Sequence, residues 1–248
     1  MSIKNLLPGK IGLGGAPLGN MFRAIPEDEA HATVSEAWNL GVRYFDTAPL
    51  YGSGLSEIRM GEALSQYPRD EYVLSSKVGR IMLDEMEDPA KRDFGEKGGL
   101  FEHGLKNKIL NDYSADATLR SIEDSLKRLK TDRLDIVWIH DPAQDFYGDS
   151  WLEQFNIART GAFRALTRLR DEGVIKAWGT GCESRRTLRT DAGAGRTEAG
   201  CVPAGGALFP AGSRTCAATP DARSTGTERG YCCGRSVQLW RTGRRRAL

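Results

Sequence analysis

Cysteine is missing from the first 181 residues of this chain, and all five cysteines lie at or after Cys182. Because no disulfide can form in the larger part of the chain, nothing points to an oxidising compartment. No apolar stretch approaches the roughly 20 residues of a bilayer-spanning helix, and residues 1–8 lack the apolar core of a signal peptide. We therefore expect a cytoplasmic protein without a membrane partner.

Two kinds of binding site lack their usual signatures. No Cys/His spacing in residues 1–181 is typical of a metal site, and His31 and His103 are expected at solvent-facing positions of a helix and a loop. The glycines of Gly12–Gly15 resemble a dinucleotide-binding loop, but no helix opens directly after them, as that fingerprint requires. We interpret this segment as a first strand followed by a tight turn.

Residues 182–248 also lack lysine, isoleucine, methionine, asparagine and histidine altogether. This tail carries 12 basic and 5 acidic residues, a net charge of +7, whereas residues 1–181 carry 23 and 28, a net charge of −5. Such a tail has too few aliphatic residues to bury a core. We therefore predict two regions: a folded acidic domain over 1–181 and an irregular or disordered tail over 182–248.

Residues 1–181 alternate between strand-like and helix-like segments. The strand-like runs begin at Ile11, end at Asp46, Lys77 and His140, and, for the fifth, span Val174–Gly179. Helix-like stretches lie between them, at Pro26–Leu40, about Ser56–Gln66, Leu119–Leu129 and a stretch that ends at Gly173. Alternation of this kind, with strands apolar enough to be buried on both faces, indicates an α/β fold with a parallel sheet covered by helices. The long polar segment from Arg80 to Tyr113 is predicted to be a substrate-side loop.

Four polar residues stand where these strands give way to loops: Asp46, Tyr51, Lys77 and His140. Carbonyl reduction by hydride needs a proton donor at the carbonyl oxygen, and alcohol oxidation needs the same group as a base. A tyrosine serves if a neighbouring ammonium favours its phenolate, so Lys77 is expected to activate Tyr51 and Asp46 to hold Lys77. Each residue alone has a commoner structural role, but the set favours a proton-transfer site.

The motifs around these residues resemble those of the aldo-keto reductase family. Phe45–Gly52 is similar to the family's Asp/Tyr motif, Ser75–Gly79 to its lysine motif and Ile139–Asp141 to its histidine strand. The segments Gly14–Gly19 and Leu74–Arg80 resemble the branch that oxidises aldoses and pyridoxal.

This resemblance implies a (β/α)8 TIM barrel, of which residues 1–181 supply about five units. It implies NAD or NADP as the cofactor, and Asp46, Tyr51, Lys77 and His140 as catalytic residues. Asp46 and His140 also contact the cofactor in this interpretation. The implied substrate is a small aldose or aldehyde, oxidised to a lactone or formed by the reverse reduction, with no nucleic acid as partner. The oligomeric state is not predicted.

The tail has the composition that a GC-rich gene gives when it is translated out of frame. Shifted by one nucleotide, Val202–Arg214 can encode FLLAGRYSLLDH and Tyr231–Gly243 can encode IVVGGPYNSGAL, which resemble the sixth and seventh strands of the family. A valine–asparagine pair, similar to the asparagine that binds the cofactor amide, can be encoded where Cys182 and Glu183 stand. We therefore expect a frame slip near Gly181, the loss of the remaining cofactor positions, and impaired activity.

The alternative is a non-enzymatic half-barrel or binding protein with a genuine basic tail. Arg244–Arg246 cluster in that tail and Cys232 and Cys233 are adjacent. The tail nevertheless lacks the aromatic platforms of single-stranded nucleic-acid binding and the paired C-x-x-C spacing of zinc modules.

Overall fold

The computed structural model describes residues 5–9, 11–88 and 100–181, together with the backbone of residues 200–201 and 209–210. The strands are β1 (Ile11–Gly14), β2 (Tyr44–Asp46), β3 (Val73–Val78), β4 (Arg80–Met86), β5 (Asn107–Asn111), β6 (Ile136–His140), β7 (Ala177–Gly181), β8 (Gly200–Cys201) and β9 (Phe209–Pro210). The α-helices are α1 (Glu27–Asn39), α2 (Leu55–Leu64), α3 (Ala115–Arg128), α4 (Gln144–Tyr147), α5 (Trp151–Thr160) and α6 (Ala162–Asp171). Short 3-10 helices lie at Ala16–Gly19, Arg69–Glu71 and Gly148–Ser150.

The main sheet has the strand order β8-β7-β6-β3-β2-β1-β9. Its five longer strands are parallel, with Asp46 opposite Ser75 and Lys77 opposite Trp138. The five strands predicted from the sequence are thus confirmed as neighbours in one parallel sheet. β8 continues the parallel pairing beyond β7, whereas β9 pairs antiparallel to β1.

The helices between these strands begin and end where the local sequence favours it. Pro26 is the N-cap of α1 rather than its first helical residue, and three acidic residues follow in the first turn, where they complement the helix dipole. The Ser114 side chain caps α3 by accepting a hydrogen bond from the Ala117 amide, and Lys127 and Arg128 occupy the last turn.

Alternation along the strands gives the sheet two apolar faces. Phe45, Leu74 and Val137 pack against the helices in the larger core. Their neighbours on the opposite face form a smaller cluster, which Leu6 and Leu7 partly cover. The members of this cluster are Tyr44, Val73, Ile136, Trp138 and Ala177. A barrel of parallel strands has this arrangement, an outer layer of helices and an interior filled by side chains.

One sequence prediction is wrong in detail. The segment from Arg80 to Tyr113 is not simply a loop, because β4 and β5 pair antiparallel within it, with an irregularity between Met82 and Met86. The outer part of this hairpin is exposed, so its strands lack the apolar pattern of buried strands. The helix predicted to end at Gly173 is confirmed as α6, and a helix that was not predicted, α5, precedes it and meets it at Gly161.

The predictions for the tail lie almost wholly outside the described residues. Within 182–248 the structure describes only the pairing of Gly200–Cys201 with β7 and of Phe209–Pro210 with β1, so these four residues are in extended backbone. Cys182 and Glu183, the positions of the expected frame slip, are outside the described ranges. In the part of the chain that is described, no helix is long and apolar enough to cross a bilayer.

Candidate active site

The four predicted site residues come together at the carboxyl ends of adjacent strands. Asp46 ends β2, Lys77 is the penultimate residue of β3, His140 ends β6, and Tyr51 lies in the loop between β2 and α2. Their exposed fractions are 2%, 1%, 1% and 5%, respectively. Because parallel strands place their carboxyl ends on one side, the sequence order alone brings these side chains to one place.

Lys77 and Asp46 form a buried ion pair. The Lys77 Nζ donates to Asp46 Oδ2 at 2.5 Å and to the Thr47 carbonyl at 2.9 Å. The second oxygen of Asp46 accepts from the Ser75 hydroxyl at 2.6 Å. Burial is the largest single influence and lowers the pKa of Lys77, but the charges and hydrogen bonds of Asp46 and Tyr51 together outweigh burial and leave that pKa above its ordinary value. Lys77 is therefore a fixed cation.

Tyr51 lies beside this cation. The Lys77 Nζ is 4.7 Å from the centre of the Tyr51 ring, and the ring of His140 meets it edge-on at 5.7 Å. Burial raises the pKa of Tyr51 above its ordinary value, although Lys77 acts to lower it through charge and hydrogen bonding. The expectation of a lowered pKa for Tyr51 is therefore wrong as a net direction, because desolvation of the phenolate exceeds the attraction of Lys77. Tyr51 is a protonated donor.

His140 is a neutral imidazole. Burial, together with the charges of Lys77 and Arg80, holds the pKa of His140 well below its usual range. Its Nε2 is 3.6 Å from Asp141 Oδ2, and its Nδ1 has no hydrogen-bond partner among the described residues. A buried imidazole nitrogen without a partner is unusual, and it leaves a position at which a ligand atom can be bound.

The loop that carries Tyr51 is held by close backbone packing. Gly52 has φ +66°, and a Cβ added there would lie 2.4 Å from the Gly19 carbonyl oxygen. The Leu105 amide donates to the Gly52 carbonyl at 3.0 Å, and Phe101 stacks on Tyr51 with ring centres 5.7 Å apart. The segment 100–105, which precedes β5, therefore covers Tyr51 from outside.

Three contributors to this site were not predicted from the sequence. Ser75 could have been found, because alternation along β3 places it on the same face as Lys77. Phe101 and Arg80 had no such signal, since their contacts depend on how the β4–β5 hairpin folds back.

The arrangement agrees with one family. Residues 10–190 match the model of the aldo/keto reductase family. The chain belongs to the aldo/keto reductase family. Membership confirms the expected TIM-barrel fold, and the cofactor used in this family is NAD or NADP.

Similar curated proteins match the front part of the chain. It is 40% identical over 172 residues to D-threo-aldose 1-dehydrogenase of a Pseudomonas species, a match that covers 69% of this chain and 49% of the relative. It is 36% identical over 183 residues to pyridoxal 4-dehydrogenase of Microbacterium luteolum, covering 72% and 53%. The chain thus spans about half the length of these relatives.

Solved structures show the same fold. An aldo-keto reductase from Bacillus halodurans in its holo form has a TM-score of 0.52 at 25% identity, covering 78% of this chain and 52% of that one. The glycerol dehydrogenase of Gluconobacter oxydans has a TM-score of 0.54 at 24% identity, covering 79% and 53%, and this likeness concerns the fold alone.

The described residues fit the nicotinamide end of the family's cofactor. The test is the Nδ1 of buried His140 beside the Asp46–Lys77 pair, a polar atom at the strand ends that has no hydrogen-bond partner within the described part of the chain. Asp46 and His140 are the residues that would contact that end. The asparagine expected for the cofactor amide falls at residues outside the described ranges.

Proposed function

We propose that the aldo/keto reductase domain of this chain catalyses hydride transfer between NAD or NADP and an aldose or aldehyde. The single observation that carries this proposal is the buried Lys77–Asp46 pair at 2.5 Å, set beside the Tyr51 ring. A buried pair of this kind costs desolvation energy without adding much net stability, so it favours a chemical role for the cation.

Tyr51 is the proton donor in the reducing direction and the base in the oxidising direction. Lys77 stabilises the phenolate that forms when the Tyr51 proton leaves, and Asp46 keeps Lys77 charged and in place. His140, being neutral, donates a hydrogen bond to the substrate oxygen and orients it next to the Tyr51 hydroxyl. The nicotinamide, when bound, supplies or accepts the hydride.

The finer substrate assignment is oxidation at a sugar C1 or of a pyridoxal-type aldehyde to a lactone, or the reverse reduction. It is supported by similarity to the aldose and pyridoxal dehydrogenases rather than by a feature of the site. The ring of Phe101 stacks on Tyr51, and a site covered in this way suits a small ring-shaped substrate.

The catalytic role also depends on the tail. We propose that a frame slip near Gly181 separates the coding frame of residues 1–181 from that of 182–248. The match to the family model ends at residue 190, shortly after the composition changes at residue 182. Restoring the frame is then expected to supply the rest of the cofactor site, so the chain as written has little activity.

Resequencing the gene across the Gly181 and Cys182 codons tests the frame slip directly. A gained or lost base, with an open frame beyond it, supports the slip, and an unchanged sequence contradicts it. The frame-restored and written chains are then compared for oxidation of D-threo-aldoses and pyridoxal and for tryptophan quenching by NADH and NADPH.

In the frame-restored chain, Tyr51→Phe is expected to abolish turnover and leave cofactor quenching intact. The matched control is Tyr67→Phe, because Tyr67 stacks on Trp38 at 4.0 Å between helix α1 and the outer surface of the core. Full activity of Tyr51→Phe would sink the proposed mechanism. Absence of cofactor quenching in both chains would support the non-enzymatic half-barrel instead.

A further inference from the structure

Arg80 is a fully buried cation at the start of β4, three residues after Lys77. Its side chain packs with the guanidinium carbon 3.8 Å from the centre of the Phe146 ring, and its Nη1 donates to the Tyr147 hydroxyl. Its Nε and Nη2 have no hydrogen-bond partner among the described residues. Since Nε and Nη2 form the face that carboxylates normally bind in pairs, the charge of Arg80 is not neutralised there.

A chain of hydrogen bonds leads from Arg80 to the active site. Arg80 donates to the Tyr147 hydroxyl, which donates to the Tyr113 hydroxyl at 3.1 Å, and Tyr113 donates to the His140 carbonyl oxygen at 2.6 Å. All three bonds run in one donor direction, so each polarises and strengthens the next. We call these four residues the Arg80 relay.

The relay ends on the last residue of β6. Tyr113 is itself locked, because Gly79 approaches its ring so closely that an added Cβ would lie 2.2 Å from the Tyr113 Cε1. The position of the His140 backbone is therefore coupled to α4, which carries Tyr147, and to the loop that joins β3 to β4. Three separate segments of the chain are tied together at this point.

Charged and titratable groups face His140 from each element packed against it. Lys77 approaches from β3, Arg80 from β4, Tyr51 from the β2–α2 loop and Asp141 from the residue after β6. Two of these groups are fixed cations, and the Asp141 carboxylate is 3.6 Å away.

We propose that Arg80 is a positioning residue for the hydride-transfer site: through Tyr147 and Tyr113 it fixes the end of β6, the strand that carries His140. A neutral His140 donates a hydrogen bond to the substrate oxygen but does not compete with Tyr51 as the acid. Only this last consequence rests on the proposed function, since the relay and the charge state are properties of the chain without substrate.

The three histidines of the chain make the test direct, since each gives a separate imidazole signal in NMR of the full chain with isotope-labelled histidine. In Arg80→Met the imidazole signals of His140 are expected to shift and its titration midpoint to rise, because the hydrogen-bond chain that ends on His140 loses its first donor and one nearby charge is removed. Arg80→Lys, which retains the charge, is expected to leave the midpoint low. His31 and His103 serve as internal references and are expected not to move.

Arg43→Met is the matched control. The Arg43 guanidinium also lies over an aromatic ring, 3.7 Å from the centre of Trp38, but its Nη1 donates to two backbone carbonyls away from the site. Unshifted His140 signals in Arg80→Met, or an equal shift in Arg43→Met, overturn the proposal. If Arg80→Met does not fold, Arg80→Gln provides the same comparison.

Tyr113→Phe tests the hydrogen-bonded part of the relay, because it keeps the ring and removes the hydroxyl. The amide signal of Asp141, which follows the His140 carbonyl, is expected to shift, and kcat of the frame-restored enzyme is expected to fall with little change in KM. An unmoved Asp141 signal contradicts the positioning role. If the His140 and Asp141 signals shift as expected but neither the parent nor any variant transfers hydride, the proposed function is wrong and the positioning role of the Arg80 relay is still supported.

Discussion

The ammonium of Lys77 and the carboxylate of Asp46 lie 2.5 Å apart with both side chains almost wholly buried. Asp46 is in register with Ser75 of the adjacent parallel strand, and Lys77 lies two residues further along that strand on the same face, so their pairing follows from the sheet rather than from a flexible loop. Each charge depends on the other for its stability in this environment.

Removing one member of this pair is expected to destabilise the fold by about 3–5 kcal/mol, because the remaining charge stays buried without a partner. Lys77→Met and Asp46→Asn are therefore each expected to lower the free energy of unfolding in urea, and the double variant is expected to lose less than their sum. Lys127→Met, which removes an exposed partner of Asp124, is the control and is expected to change little. Additive single losses would contradict the coupling.

Acidification is expected to destabilise the chain through His140. Because the pKa of His140 is held well below 6.5 in the folded state, the unfolded state binds more protons below that pH. Stability is therefore present above about pH 6.5 and is lost as the pH falls toward the folded-state pKa, by at most about 1.4 kcal/mol per pH unit. Urea unfolding at several pH values measures this slope.

His140→Gln is expected to remove the part of the pH dependence of stability that His140 causes. His31→Gln, at a half-exposed helix position, is the control and is expected to leave that pH dependence unchanged. The same slope in the His140 variant and in its parent would show that other groups cause the acid sensitivity.

Gly79→Ala is expected to disturb the site more than an ordinary turn substitution. Gly79 has φ +96°, and an added Cβ would lie 2.2 Å from the Tyr113 Cε1, so both backbone strain and a clash result. Strain at such a φ costs on the order of 1–3 kcal/mol.

Gly41→Ala separates the two effects, since Gly41 has φ +85° with no heavy atom within 4 Å of the added Cβ. We expect a larger loss of unfolding free energy for Gly79→Ala than for Gly41→Ala, and a shifted His140 signal only in the former. Equal losses of unfolding free energy would mean that the Tyr113 ring moves away from the added Cβ without destabilising the fold.

Phe101→Ala is expected to lower the pKa of Tyr51 toward its ordinary value. Burial is the main cause that raises this pKa, and Phe101 is the ring stacked on Tyr51. An ultraviolet titration of phenolate, with Tyr51→Phe subtracted, measures the change. Phe22→Ala, which removes an exposed ring from a segment bonded to Leu100, is the control. A rise, or no change, in the pKa of Tyr51 would contradict the stacking argument.

The strand ends were predictable from the sequence, because a polar residue directly after an apolar run marks the edge of a parallel sheet. Asp46, Lys77 and His140 were placed correctly for this reason, and the pairing of Lys77 with Asp46 followed from their chemistry. The protonation of Tyr51 was not predictable, because the balance between burial and the attraction of Lys77 depends on what covers the ring.

The Arg80 relay could not be read from the sequence either. Tyr147 lies 67 residues from Arg80, and Tyr113 lies 27 residues from His140, so no local pattern joins them. The β4–β5 hairpin was not predictable either, because the exposed part of an antiparallel strand pair needs no apolar alternation. Contacts of this range depend on the tertiary fold.

The hairpin that follows β3 is tied to the loop that carries Tyr51. β4 pairs with β5, and the Leu105 amide, just before β5, is bonded to the Gly52 carbonyl. The outer part of both strands is exposed, whereas Lys77 and Tyr51 are buried beneath the inner part. Substitutions at the exposed end of this hairpin are therefore expected to leave the proton-transfer groups in place.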